Sequence, residues 1–157
     1  MSCNIFGVSR YLILAFVMSL LAAGVGNSAP EGRDTVLITG LDNFLHIEST
    51  SGNTLSLTVT GSENGGLGRT WDSNPLLLPS LKPGNILQSG DRNTMDIDVL
   101  GTNTLFSVVQ NGNDNSIRGY SSGTSNAFTV VQSGQQNQAV FSQQGSRNSL
   151  SIFQGSW

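Results

Sequence analysis

The stretch NQAVFSQ, residues 137–143, alternates strictly: Asn137, Ala139, Phe141 and Gln143 fall on one face, and Gln138, Val140 and Ser142 on the other. In an extended chain successive side chains point to opposite sides, so this is the signature of a strand with one face buried. The same step of two, counted from an Asn-like slot, collects Met95, Phe106, Ile117, Phe128 and Leu150 two places on. Four places on it collects Ile97, Val108, Val130 and Ile152. With Phe141 these residues are the predicted core. The opposite face carries Thr94, Asp96, Asp98, Ser107, Arg118, Thr129, Ser142, Ser149 and Ser151 with a few apolar members, Val109, Val131 and Phe153, and is expected to be wet. A helical period of 3.6 would scatter the apolar set around the helix, so helix is rejected.

A ruler underlies the alternation. Glycine stands at 90, 101, 112, 123, 134 and 145, each eleven residues from the next. Three places later come Asn93, Asn115, Asn126, Asn137 and Asn148, with Thr104 in the remaining slot. Two places before the glycines come Gln88, Val99, Gln110, Ser121, Gln132 and Gln143, and Gln154 continues the series. The true period is therefore 22, built of two similar halves. One strand-turn-strand rung per 22 residues cannot bury its apolar face alone, so the rungs must stack. The predicted fold class is all-β, a short β-solenoid. Its rungs repeat at about 4.7–4.9 Å, which sets like residues in rows. Gly90, Gly101, Gly112, Gly123, Gly134 and Gly145 are the expected corners. Gln88, Gln110, Gln132, Gln143 and Gln154, with Asn93, Asn115, Asn126, Asn137 and Asn148, are the expected inward amide ladder. Such ladders satisfy polar groups that would otherwise cost roughly 1–3 kcal/mol each when buried.

Composition changes along the chain. All glutamines lie at or after Gln88 and all prolines at or before Pro83. Pro75, Pro79 and Pro83 interrupt any regular ladder, because proline donates no amide hydrogen. The expected organisation is a strand-containing region at 30–60, a Gly/Pro-rich linker or loop at 61–81 and a repeat domain at 82–157. The repeat domain divides into 82–103, 104–125, 126–147 and a half repeat, 148–157. Upstream, NTLSLTVTGSEN (53–64) alternates well and VLITGLDNFLHIES (36–49) less cleanly. At the start, Arg10 precedes the sixteen-residue apolar stretch YLILAFVMSLLAAGVG, which gives way to GNSAPEG. That reads as a secretory signal over residues 1–29, too short for a spanning helix of roughly 20 residues.

Little chemistry is available to this chain. Cys3 is the only cysteine and His46 the only histidine, which removes disulfide frameworks and Cys/His metal clusters and argues against an enzyme. The net charge of −3, without a basic run, argues against nucleic acid. No cofactor and no small-molecule substrate is expected. Asp96 and Asp98 share a face but lack the further oxygen donors of a cation site. His46 has no evident partner and reads as a bystander. Trp71, Tyr120 and Trp157 fit packing or end-capping better than sugar binding. Asp91, Asp96, Asp98 and Asp114 are candidates to restrain assembly, since acids on exposed strands oppose sheet-to-sheet association. Ordinary surface solubility explains them equally well.

The segment NAFTVVQSGQQNQAVFSQ (126–143) resembles the repeat of the curlins, subunits of bacterial curli fibres. The match lies at Gln132, Gly134, Asn137, Ala139 and Gln143, with Asn126 in the Ser slot. Residues 104–121 match at Gln110, Gly112 and Asn115 but carry Ile117 and Ser121 in the Ala and second Gln slots. Residues 82–99 match at Gln88, Gly90 and Asn93 but carry Met95 and Val99 there. The resemblance covers about half the chain, and residues 30–81 depart from it. It implies export through an outer-membrane curli secretion machinery, assembly with copies of itself and with another curlin, and an extracellular amyloid fibre at the bacterial surface serving adhesion and biofilm matrix. The residues themselves support polymerisation separately, because a solenoid with unpaired ends is a template for another copy. The alternative is a secreted monomeric β-solenoid that binds a surface or saccharide through its wet face.

Overall fold

The computed structural model describes residues 33–50, 52–66 and 81–156. The expected signal at 1–29, most of the linker, Trp71 and Trp157 lie outside them. The described chain is all-β and forms twelve strands: β1 (Asp34–Thr39), β2 (His46–Ser49), β3 (Thr54–Thr60), β4 (Asn85–Ser89), β5 (Thr94–Thr102), β6 (Leu105–Asn113), β7 (Ser116–Arg118), β8 (Ser121–Thr124), β9 (Ala127–Gln135), β10 (Gln138–Val140), β11 (Gln143–Gln144) and β12 (Ser149–Gly155).

These strands wind into a β-solenoid of five coils. One sheet runs β1, β3, β5, then β7 with β8, then β10 with β11; the facing sheet runs β2, β4, β6, β9, β12. Every pairing is parallel. Each coil contributes one arm to each sheet, so coil 1 is β1 and β2, coil 2 is β3 and β4, and coil 3 is β5 and β6. Coil 4 is β7, β8 and β9; coil 5 is β10, β11 and β12. The predicted core residues line the space between the sheets. Met95, Ile97, Phe106, Val108, Ile117, Phe128 and Val130 are fully buried and Phe141 nearly so. Leu150 and Ile152 are only half-buried, because they belong to the last coil and no coil covers them.

The stack does not begin at residue 82. Leu55, Leu57 and Val59 of β3 are buried in register with Met95, Ile97 and Val99 of β5, and β1 pairs with β3. The segment read as a separate N-terminal region therefore supplies coil 1 and half of coil 2. Register shows what hid this. Neighbouring coils are offset by 22 residues at Thr94–Ser116 but by 40 at Thr54–Thr94, a difference of 40 − 22 = 18. Gly65 N donates to Thr104 O and Gly84 N to Phe106 O, so these two glycines occupy neighbouring slots of coil 2. The 18 residues between them, 66–83, are an insertion relative to the later coils, and it contains Pro75 and Pro79 of the expected linker together with Pro83.

Two further departures are local. Four of the six corner glycines, Gly101, Gly112, Gly123 and Gly134, lie inside strands, with Gly112 paired to Gly134 in β6 and β9, and Gly90 and Gly145 directly follow a strand; the left-handed residue comes two places later. Ser107 and Thr129, expected on the wet face, are fully buried, and Val109 and Val131 half-buried, so this part of the outer face is not open to solvent.

In coils 4 and 5 the first arm is split. The break in coil 4 falls at Gly119, where a Cβ would stand 2.7 Å from the Phe141 ring. The space a side chain would occupy is filled by that ring, which meets Phe128 at 5.1 Å between centroids; Phe128 in turn stacks on Phe106 at 5.3 Å. Aromatic pairs at such spacings add to the burial of their area.

Candidate functional site: amide columns and open ends

The amides on the second sheet form one continuous column. Gln88 Nε2 donates to Gln110 Oε1 at 2.9 Å, Gln110 Nε2 to Gln132 Oε1 at 3.0 Å, and Gln132 Nε2 to Gln154 Oε1 at 2.8 Å. Ser49 begins it by donating to Gln88 Oε1 at 3.2 Å. Each amide also crosses the solenoid: the same nitrogens of Gln110, Gln132 and Gln154 reach the carbonyls of Thr94, Ser116 and Gln138, sixteen residues back. Gln88 reaches Thr54 O, 34 residues back, and the surplus is again the 18-residue insertion. The column therefore ties coil to coil and sheet to sheet.

Gln143 makes the cross-solenoid bond alone, from Nε2 to Ala127 O at 3.2 Å. Ser121 lies beside it in register and Val99 beyond, so no amide ladder forms on that arm. Ser121 Oγ and Gln143 Oε1 are buried with no hydrogen-bond partner among the described residues.

The asparagines fall into two columns, one per corner. In the first, Asn115 Oδ1 accepts from the backbone N and Nδ2 of Asn137, at 2.9 and 3.1 Å, and Asn115 in turn donates its own N and Nδ2 to Asn93 Oδ1 on the preceding coil. Asn115 Nδ2 also reaches Gly134 O at 2.9 Å on the next coil. Asn53 extends this column one coil further, since Asn93 N and Nδ2 both donate to its Oδ1. The second column runs Asn43, Asn64, Thr104, Asn126 and Asn148. Asn64 N donates to Asn43 Oδ1, Thr104 N to Asn64 Oδ1 and Asn148 N to Asn126 Oδ1. Thr104 has no amide to hand on, so the column is broken there.

Asn43, Asn53 and Asn64 were absent from the expected ladder. The signal for two of them was present: Gly40 and Asn43, and Gly61 and Asn64, keep the three-residue offset of the later corners.

Each full corner uses two left-handed residues. All six expected corner glycines have positive φ, from 96° at Gly90 to 153° at Gly101, and Gly40 and Gly61 join them. Arg92, Asn103, Asp114, Ser125, Gln136 and Arg147, each just before the Asn slot, sit at φ 56–61°. Glycine is required for a second reason at Gly112, where a Cβ would lie 1.8 Å from Gly134 O of the next coil.

The four acids are all in the middle of the stack. Asp114 takes a two-pronged contact from Arg92, Nε to Oδ1 at 2.6 Å and Nη2 to Oδ2 at 2.7 Å, and this hydrogen bonding holds its carboxyl below the usual range. Asp91 N donates to Asn113 Oδ1 at 2.9 Å. Asp96 lies 3.9 Å from Arg118 Nε on the next coil, and Asp98 follows two places along the same strand. His46 is exposed, and its ring Nε2 lies 2.9 Å from Glu48 Oε1. Tyr120 is half-buried at the split of the coil 4 arm.

Both ends of the stack are open among the described residues. No described strand pairs with the outer edges of β1 and β2, or of β10, β11 and β12. Val36, Ile38 and Ile47 at one end, and Leu150 and Ile152 at the other, show half their inward faces. Residues 123–155, from β8 to the end of β12, match the family model of the curlin associated repeat. The chain carries a curlin repeat. The matched segment holds Asn126, Gln132, Gly134, Asn137, Gln143, Asn148 and Gln154, which belong to the amide columns and corners described above. No curated protein and no solved structure matches the chain.

Proposed function

We propose that this chain is a curli-type structural subunit that polymerises outside the cell by stacking solenoid on solenoid. The observation that carries the reading is the pair of open ends, whose inward rows repeat the order of the interior columns. A parallel edge with unpaired N–H and C=O groups is a template for another strand, and the half-exposed apolar rows gain by being covered. Adhesion and a place in the biofilm matrix follow from the curlin resemblance, as do passage through a curli secretion machinery and copolymerisation with another curlin. The mid-stack acids Asp91, Asp96, Asp98 and Asp114 face sideways, where they would restrain lateral association of fibres and leave the ends free to grow.

Incubation of the purified protein, followed by thioflavin signal and fibre diffraction, tests the reading. Growth of fibres with a reflection at about 4.7–4.8 Å along the axis is expected. A chain that stays monomeric under all conditions of concentration and agitation would move the function to binding through the lateral faces.

A further inference from the structure

We propose that copies join head to tail in a single register, coil 5 of one receiving coil 1 of the next, and that Arg147 and Asp42 select this joint by pairing across it. This deepens the polymerisation reading and rests on it.

The argument starts from what coil 1 offers as a sixth coil. Coil 5 turns its corner at Gly145, Arg147 and Asn148, then sends Leu150, Ile152 and Gln154 inward. Coil 1 repeats that order at the same spacing: Gly40, Asp42 and Asn43, then Leu45, Ile47 and Ser49. Stacked in parallel, leucine covers leucine and isoleucine covers isoleucine. The polar slots match too. Asn148 Oδ1 accepts nothing from the described residues of its own copy, and Asn43 N would meet it as Asn148 N meets Asn126 Oδ1. Asn148 Nδ2 would find Gly40 O as Asn126 Nδ2 finds Gly145 O. Gln154 Nε2 would continue the amide column into the Ser49 hydroxyl.

Charge then distinguishes this joint from a generic open edge. The left-handed corner positions of this column read Asp42, Glu63, Asn103, Ser125 and Arg147, with the acids at one end of the stack and the cation at the other. Among the described residues neither Asp42 nor Arg147 has an ion-pair partner. The opposite corner shows what such a pair does when the coils are adjacent. There Arg92 at φ 56° on the earlier coil grips Asp114 at φ 56° on the later one. Arg147, φ 58°, followed by Asp42 of the next copy, φ 55°, has the same residue types in the same order on the same backbone. The joint thus recreates an internal contact of the protein.

The test is seeded elongation by the full chain, each protein growing on seeds of its own fibres, with wild type alongside. D42R and R147D are expected to elongate roughly two- to five-fold more slowly at low salt, the range for one exposed ion pair, with the gap closing as salt rises. The double variant D42R/R147D restores a pair of opposite sign and is expected to regain the wild-type rate on its own seeds while growing poorly on wild-type seeds. Register is read separately in a Cys3→Ser background carrying H46C or S151C. These slots share one row through Asn85, Ser107 and Thr129, Asn85 falling beside Ser107 by the Ile86–Val108 register, so the joint places them one strand apart at about 4.8 Å, within disulfide reach. Mixed fibres of the two variants should give covalent dimers on oxidation, and fibres of either alone none. Wild-type fibres with unaffected single variants, a double variant no better than the singles, or no mixed crosslink overturn the joint and leave polymerisation standing. Absence of wild-type fibres overturns both.

Discussion

Gln110 donates its amide to Gln132 at 3.0 Å while both side chains are fully buried, and the same nitrogen reaches across to Thr94 O. One side chain thus joins two coils and two sheets. Replacing it with alanine leaves Gln88 Nε2 short of its acceptor, Gln132 Oε1 short of its donor, and a void between them. Gln110→Ala is expected to lose about 2–4 kcal/mol, an unsatisfied buried group costing roughly 1–3 and the void adding to it. Urea unfolding of the soluble protein measures it, and a loss under about 1 kcal/mol would show that the column contributes little.

Thr104 is the weak link of the second asparagine column. Thr104→Asn puts an amide where the preceding and following coils already hold Asn64 and Asn126. It gives the N–H and Nδ2 of Asn126 the acceptor that Asn148 finds on Asn126 itself. A gain of about 0.5–1.5 kcal/mol is expected, one or two net hydrogen bonds. An unchanged or lower midpoint in the same titration would contradict the corner geometry.

Glycine substitutions separate folding from growth. At Gly112 a Cβ would collide with Gly134 O at 1.8 Å, so Gly112→Ala should prevent the native stack from forming. At Gly145, at the open end, the nearest described atom to a Cβ is Asn148 Nδ2 at 3.5 Å. Gly145→Ala then carries only the strain of a left-handed alanine, about 1–3 kcal/mol. In the proposed joint it would strike Gly40 O of the incoming copy. The expected outcome is a variant that folds but does not elongate wild-type seeds, checked by circular dichroism and seeding on one preparation.

Asp34 stands in the inward row of Leu55, Met95, Ile117 and Ala139. Burial pushes its carboxyl above the ordinary value, against the opposing hydrogen bond from Leu55 N. A raised folded-state pKa means the protonated form favours the fold. That contribution is complete below the unfolded-state value and is lost as pH rises through the folded-state value. Covering coil 1 with another copy deepens the burial. Elongation should therefore quicken as pH falls into the carboxylate range, and Asp34→Asn should remove that part of the pH dependence. A variant with the wild-type profile would assign the dependence to other carboxylates.

Much of the repeat could be read from the chain because its two periods are local. Alternation sorted Phe106, Phe128 and Val130 inward, and the eleven-residue spacing of glycine put Gln88, Gln110 and Gln132 in one row. Coil 1 and the first arm of coil 2 were hidden for two physical reasons. The insertion at 66–83 breaks the spacing while leaving the register of the strands on either side intact. The inward slots there also hold Ser49, Ile38 and Val59, which fill the interior as well as an amide but carry no repeat signature.

By itself the sequence determined the class of fold and the identity of each row, because side-chain direction in a strand depends only on parity and a corner only on its few residues. Which rows become hydrogen-bonded was decided in three dimensions. Gln132 and Gln143 are alike in the repeat, yet one belongs to a continuous column and the other lies beside Ser121, because an amide needs a partner about one strand spacing away, on another coil. The same holds for Arg147 and Asp42: their places at opposite ends of the stack exist only once the coils are wound.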